Sequence, residues 1–93
     1  MDNLSMLKAN LEITNTLRDE YLETLLAAAG KELVRQGITA PEGGTTAEDY
    51  QNLLVMYAAY YYRKRAEDTA AMPTMLRYAR NNYLLKQKME DAT

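Results

Sequence analysis

Residues 46–67 constrain this chain more than any other stretch. They read TAEDYQNLLVMYAAYYYRKRAE, with no glycine or proline between Gly43-Gly44 and Met72-Pro73. An uninterrupted segment of this length with no apolar/polar alternation predicts a helix from about 46 to about 67. Successive helix residues turn by about 100°. With Tyr50 as origin, Leu54, Tyr57 and Tyr61 fall within about 40° of it on one face, flanked by Leu53 and Ala58. Tyr60 falls on one flank near Met56, and Tyr62 on the opposite flank near Val55. Only a strip with Asn52, Ala59 and Arg63 remains for water. A helix that is apolar nearly all round has to be covered on several sides.

The rest of the chain is short for that task. With 93 residues it forms one domain with one modest core. We expect the segments on either side to supply helices too. Leu4, Leu7 and Leu11 predict a short first helix over about 2–10, followed by an extended Leu11-Glu-Ile-Thr14. Thr14 or Asn15 would cap a second helix. Leu17, Tyr21, Leu22, Leu25, Leu26, Ala29 and Leu33 form its apolar stripe, and Gly37 ends it. Gly30, beside Ala27, Ala28 and Ala29, suggests close approach of another helix. Residues 37–45 read as a mobile loop, and Thr45 with Glu48 forms a capping-box pattern. Pro73 fits the first turn of a fourth helix running to about 89. Leu76, Ala79 and Tyr83 lie on one of its faces; Tyr78, Leu85 and Met89 lie on another. Residues 90–93 would be frayed. The expected fold is all-α, a bundle of about four helices in one domain over 1–93.

Several functions are disfavoured. The chain has no histidine and no cysteine, which removes the commonest general base, the thiol nucleophile and most zinc sites. Asp19, Glu20 and Glu23, like Glu48 and Asp49, sit in first turns, where carboxylates complement the helix dipole. We therefore expect no enzyme, no cofactor and no metal. No run of about 18 apolar residues suggests a membrane span, and Met1-Asp2-Asn3-Leu4 is not a signal-peptide start. The absence of cysteine, and so of any disulfide, fits a cytosolic origin.

Charge is unevenly placed. Residues 1–50 carry four Lys/Arg against nine Asp/Glu, and residues 51–93 carry seven against four. Unlike halves favour head-to-tail association of copies. The acidic side offers Asp19 and Glu23; the basic side offers Arg63 and Arg65 beside the flank tyrosines Tyr60 and Tyr62. These six residues form the candidate subunit interface. Basic residues beside aromatics also suit nucleic acid, although Glu67-Asp68 can pair with these cations. A small helical DNA-binding or regulatory protein, dimerising through the tyrosine helix, is the alternative reading.

The order of motifs adds to this. "LKANLEIT" (Leu7–Thr14), then Asp19-Glu-Tyr-Leu22, then Leu25-Leu26-Ala-Ala-Ala29 resembles the opening of the head–tail connector proteins of long-tailed phages, also called head-completion or DNA-packaging adaptor proteins. Tyr60-Tyr-Tyr-Arg63, Met72-Pro73 and a closing helix with Leu76 and Tyr83 continue the resemblance over nearly the whole chain. It implies a non-enzymatic subunit of a ring in the virion neck, assembled in the host cytoplasm. Such a ring docks on the portal protein, extends the DNA channel and receives the stopper or tail-completion proteins. DNA would pass without sequence-specific binding. Family members often grip the portal with a longer C-terminal segment, so the resemblance points to the last helix here: Leu84, Leu85, Lys86, Lys88 and Met89.

Overall fold

The computed structural model describes residues 2–39, 45–66 and 72–91. Four helices follow in order: α1 (Asn3–Leu11), α2 (Asp19–Arg35), α3 (Thr45–Ala66) and α4 (Thr74–Asp91). No strand occurs among the described residues. The fold is all-α, as the helical periodicity requires.

α3 is the hub. α1, α2 and α4 each pack against it, and α1 also packs against α2; among the described residues α4 meets no helix but α3. The core holds Leu7 from α1, Leu22, Ala29 and Leu33 from α2, and Leu53, Leu54, Val55, Tyr57, Ala58 and Ala59 from α3. Ile38, Leu76 and Tyr83 complete it. Ala59 therefore belongs to the core and not to a solvent strip. α1 overlies that side of α3: Arg63, one turn beyond Ala59, donates to Asn10 Oδ1 at 3.1 Å. The chain thus covers more of its central helix by itself than its length suggests. Tyr61, expected in the core, is only half-buried.

Helix ends explain the remaining boundaries. The Asp2 carboxylate accepts from Ser5 N at 2.7 Å and caps α1. α1 stops where Glu12 turns left-handed at φ 59° and Ile13 N donates back to Lys8 O at 2.9 Å. α2 stops in the same manner, with Gly37 at φ 87°, Gly37 N donating to Val34 O and Ile38 N donating to Leu33 O, both at 2.9 Å. Both endings are Schellman motifs, and the second is sealed by the buried pair Leu33 and Ile38.

The start of α2 departs from expectation. Neither Thr14 nor Asn15 caps it. The residue before the helix is Arg18, which makes no side-chain cap, and Asn15 Oδ1 instead accepts from Leu17 N at 3.1 Å. Asparagine here bends the lead-in by a local side-chain bond. Leu17 consequently lies outside the helix and is 89% exposed instead of joining the apolar stripe.

α4 begins where Pro73 O accepts from Leu76 N and Arg77 N, at 3.1 and 3.2 Å. It runs two residues past its expected end. Residues 40–44 and the Thr45 side chain of the expected capping box lie outside the described residues. The residues just before them are tied to α4. Gln87 Oε1 accepts from Thr39 N at 3.0 Å, and Gln87 Nε2 donates to Gly37 O at 2.6 Å.

Two glycines make a contrasting test. Gly30 faces Leu54, but a Cβ there would sit 3.8 Å from Leu54 Cδ1, an ordinary contact. Gly30→Ala is expected to stabilise the fold by up to about 1 kcal/mol through helix propensity. Gly37→Ala meets no atom but must hold a positive φ, so it is expected to cost about 1 kcal/mol. Urea denaturation of the two variants measures both, and a shift of the same sign for both contradicts this account.

Candidate functional site

The flank tyrosines do not stand free. Tyr62, half-buried at the C-terminal end of α3, packs against Tyr21 of α2 with ring centroids 6.3 Å apart. Its hydroxyl accepts from Arg18 NH1, and the Arg18 guanidinium lies over its ring at 5.7 Å. Arg65 lies over the Tyr21 ring at 4.8 Å. The Tyr21 side chain raises the Arg65 pKa further above its ordinary value. Arg18, Tyr21, Tyr62 and Arg65 line an open cleft of about 410 Å³. Sequence reasoning placed Tyr62 and Arg65 on a contact surface but missed Arg18 and Tyr21. Their part depends on how the start of α2 crosses the end of α3, which no single-helix pattern encodes.

Tyr60 lies on the other flank, half-buried. Its ring tilts against Tyr61 at 5.8 Å, and Lys64 sits over it at 5.7 Å. Tyr60 and Tyr62 are therefore on separate surfaces. Arg63 is exposed and bonded to Asn10. Of the acidic candidates, Asp19 is taken up within the chain, 2.8 Å from Lys8 Nζ, where it ties the start of α2 to α1. Glu23 is exposed. Glu67 and Asp68, the carboxylates expected to pair with the basic cluster, lie outside the described residues.

The second surface is on α4. Leu76 and Tyr83 point into the core as expected, and Leu84 is half-buried against it. Met75, Tyr78, Leu85 and Met89 are exposed, Met75 at 76%. Their spacing of three, seven and four residues puts them, with Asn82 between, within one narrow stripe of the helix. Met75 extends the apolar face read from sequence by a full turn. Lys88 is exposed beside it. Lys86 is exposed too and reaches Asp49 of α3 at 3.4 Å, a pair worth little in water.

No other part of the described chain gathers reactive groups. No cluster of three carboxylates that could hold a metal ion occurs among the described residues. No described helix is long and apolar enough to cross a membrane. Among the described residues, Glu32 has the one carboxyl displaced far from its usual range. Hydrogen bonds from Arg35 and Gln36 lower its pKa to about 2. Arg35 Nε donates to it at 2.8 Å and Gln36 Nε2 at 2.9 Å. A carboxylate held charged in this way clamps the end of α2; it is not poised for proton transfer at neutral pH.

Two surfaces thus stand out among the described residues: a cation–aromatic cleft at the α2–α3 junction and an apolar stripe with basic neighbours on α4. Searches of curated proteins and of solved structures each returned no match. A scan of family models matched one, described as Phage gp6-like head-tail connector protein, over residues 1–89. With nearly the whole chain matched and its helices in the order the motifs implied, this protein belongs to the phage gp6-like head-tail connector family, a structural and non-enzymatic one.

Proposed function

We propose that the chain is a ring-forming subunit of the phage neck. It docks on the portal through the outer face of α4, extends the DNA channel and receives the stopper or tail-completion proteins. The observation that carries this reading is the family match together with the exposed stripe of Met75, Tyr78, Leu85 and Met89. Large apolar side chains held out to water on a helix already anchored by its opposite face mark a docking surface. Leu85, Lys86, Lys88 and Met89 of the proposed portal contact lie on or beside that stripe. Leu84 supports it from the core side.

The ring contact draws on the α2–α3 cleft, where Tyr62 and Arg65 sit, and on the acidic surface of α2, where Glu23 is exposed. Asp19 serves the monomer through Lys8 and contributes indirectly by fixing the start of α2. Tyr62 also serves the monomer, so replacing it with serine is expected to loosen the α2–α3 junction as well as assembly. Tyr60, outside the cleft, is the cleaner probe of a contact on its own flank.

Mixing purified chain with its portal, followed by sedimentation and electron microscopy, tests the reading. The expected result is a ring-shaped density added to the portal assembly. Failure to co-sediment, coupled with DNA retardation that weakens steeply with salt, would replace it with the DNA-binding alternative.

A further inference from the structure

The cleft at the α2–α3 junction has the chemistry of a carboxylate receptor. Arg18 and Arg65 each lie against a tyrosine ring, Tyr62 and Tyr21 respectively. Arg18 gives one N–H to the Tyr62 hydroxyl, but a guanidinium carries five N–H donors, and those that remain can bind a carboxylate. Neither arginine has a carboxylate partner among the described residues. Tyr21 and Tyr62 complete the lining and leave the cleft open to solvent.

The complementary group lies at the far end of the same helix. Glu48 is exposed in the first turn of α3, and so is Asp49 beside it. Seventeen residues of helix separate Glu48 from Arg65, a rise of about 25 Å. They cannot meet within one subunit. In a second copy they can, and where each cleft takes the α3 end of the next copy in one direction around a ring, the contact is heterologous and propagates from copy to copy.

We infer that the Arg18–Tyr21–Tyr62–Arg65 cleft receives the acidic N-terminal end of α3, Glu48 foremost, from a neighbouring copy of this chain. This rests on the ring reading above and names its chemistry. A single inserted carboxylate suits the site better than a nucleic-acid backbone. Glu20 and Glu23 are exposed on the same turns of α2 as Tyr21; their repulsion grows with the number of charges brought in, so it opposes an extended polyanion more than a helix end with two carboxylates.

The test is a charge swap read by sedimentation equilibrium, on the chain alone and on the portal. R65E and E48K are each expected to weaken self-association about tenfold or more, by replacing attraction with repulsion. Mixed in equal amounts, they are expected to recover association to near the wild-type level. Each R65E cleft then meets the lysine-bearing end of an E48K copy. Each E48K cleft keeps Arg65 and meets the native Glu48 of an R65E copy. The double variant R65E/E48K is expected to recover likewise. Both positions are exposed, so thermal melts should show only the small losses expected from unstacking Arg65 from Tyr21 and from reversing a first-turn charge. If either reversal unfolds the chain, R65Q and E48Q are expected to retain the weakening. Wild-type association with no loss in R65E or E48K, or no recovery on mixing, overturns the inference and leaves the connector reading standing. DNA retardation that disappears in R65E overturns it in favour of a phosphate site. A wild type that never assembles, alone or with portal, overturns both.

Discussion

Replacing Tyr57 with alanine is expected to cost about 3–5 kcal/mol of folding stability. Tyr57 is among the largest fully buried side chains and sits at the middle of the hub helix. Its ring meets the edge of Tyr61 at 6.2 Å, and its hydroxyl accepts from Gln36 Nε2 at 3.2 Å and from Arg80 NH1 at 3.5 Å. One side chain thus joins α3 to the end of α2 and to α4. A domain of this size has a total stability of about 5–15 kcal/mol, so the loss takes a large share of it. The urea midpoint measures the effect. Tyr57→Phe keeps the ring and is expected to lose at most about 1 kcal/mol, because the hydroxyl bonds are long. A phenylalanine variant as damaged as the alanine one would show that the polar contacts dominate the packing.

The second large effect concerns binding. Leu85→Asp with Met89→Asp is expected to abolish portal docking while leaving the fold intact. Both side chains are exposed on the outer face of α4, away from Leu76 and Tyr83. Their substitution removes no core contact, but it sets two charges in a surface that has to desolvate on docking. If the two act as anchors of the interface, each contributes about 2 kcal/mol, and the double change lowers affinity by roughly three orders of magnitude. Co-sedimentation with portal and a thermal melt give the two readouts. Docking at wild-type level would move the portal contact off α4. Truncation of residues 86–93 is a poorer probe, because it removes Gln87 and with it the bonds to Gly37 and Thr39.

Much of the fold was legible in the chain because the signals are local. Gly37 ends α2 through a positive φ that glycine tolerates, and Pro73 precedes α4. Leu76 and Tyr83 face the core because their spacing returns them to one side of the helix. Leu17 leaves its stripe for the opposite reason. Its spacing continues the α2 stripe, but Asn15 bends the chain before the helix begins, and a periodicity count does not see that bend. Helical angle puts Ala59 toward water because angle alone says nothing about which flanks a neighbour covers; α1 covers that one. The candidate site was half legible. Tyr62 and Arg65 stood out by composition, and the exposed face of α4 by spacing. Arg18 and Gln87 did not. A guanidinium reaching a tyrosine 44 residues away, or an amide spanning 50 residues to a backbone carbonyl, exists only once the helices have crossed.

The lopsided packing around α3 has a thermodynamic consequence. α1 and α2 brace each other as well as the hub, whereas α4 rests on α3 alone among the described helices, helped by the Gln87 bracket. Releasing α4 therefore sacrifices one seam and spares the rest, so stability is graded along the chain and the last helix forms the weakest cooperative unit. For a subunit proposed to dock through this helix, such a terminal unit is a source of compliance. It can yield locally while the remaining three helices keep their shape.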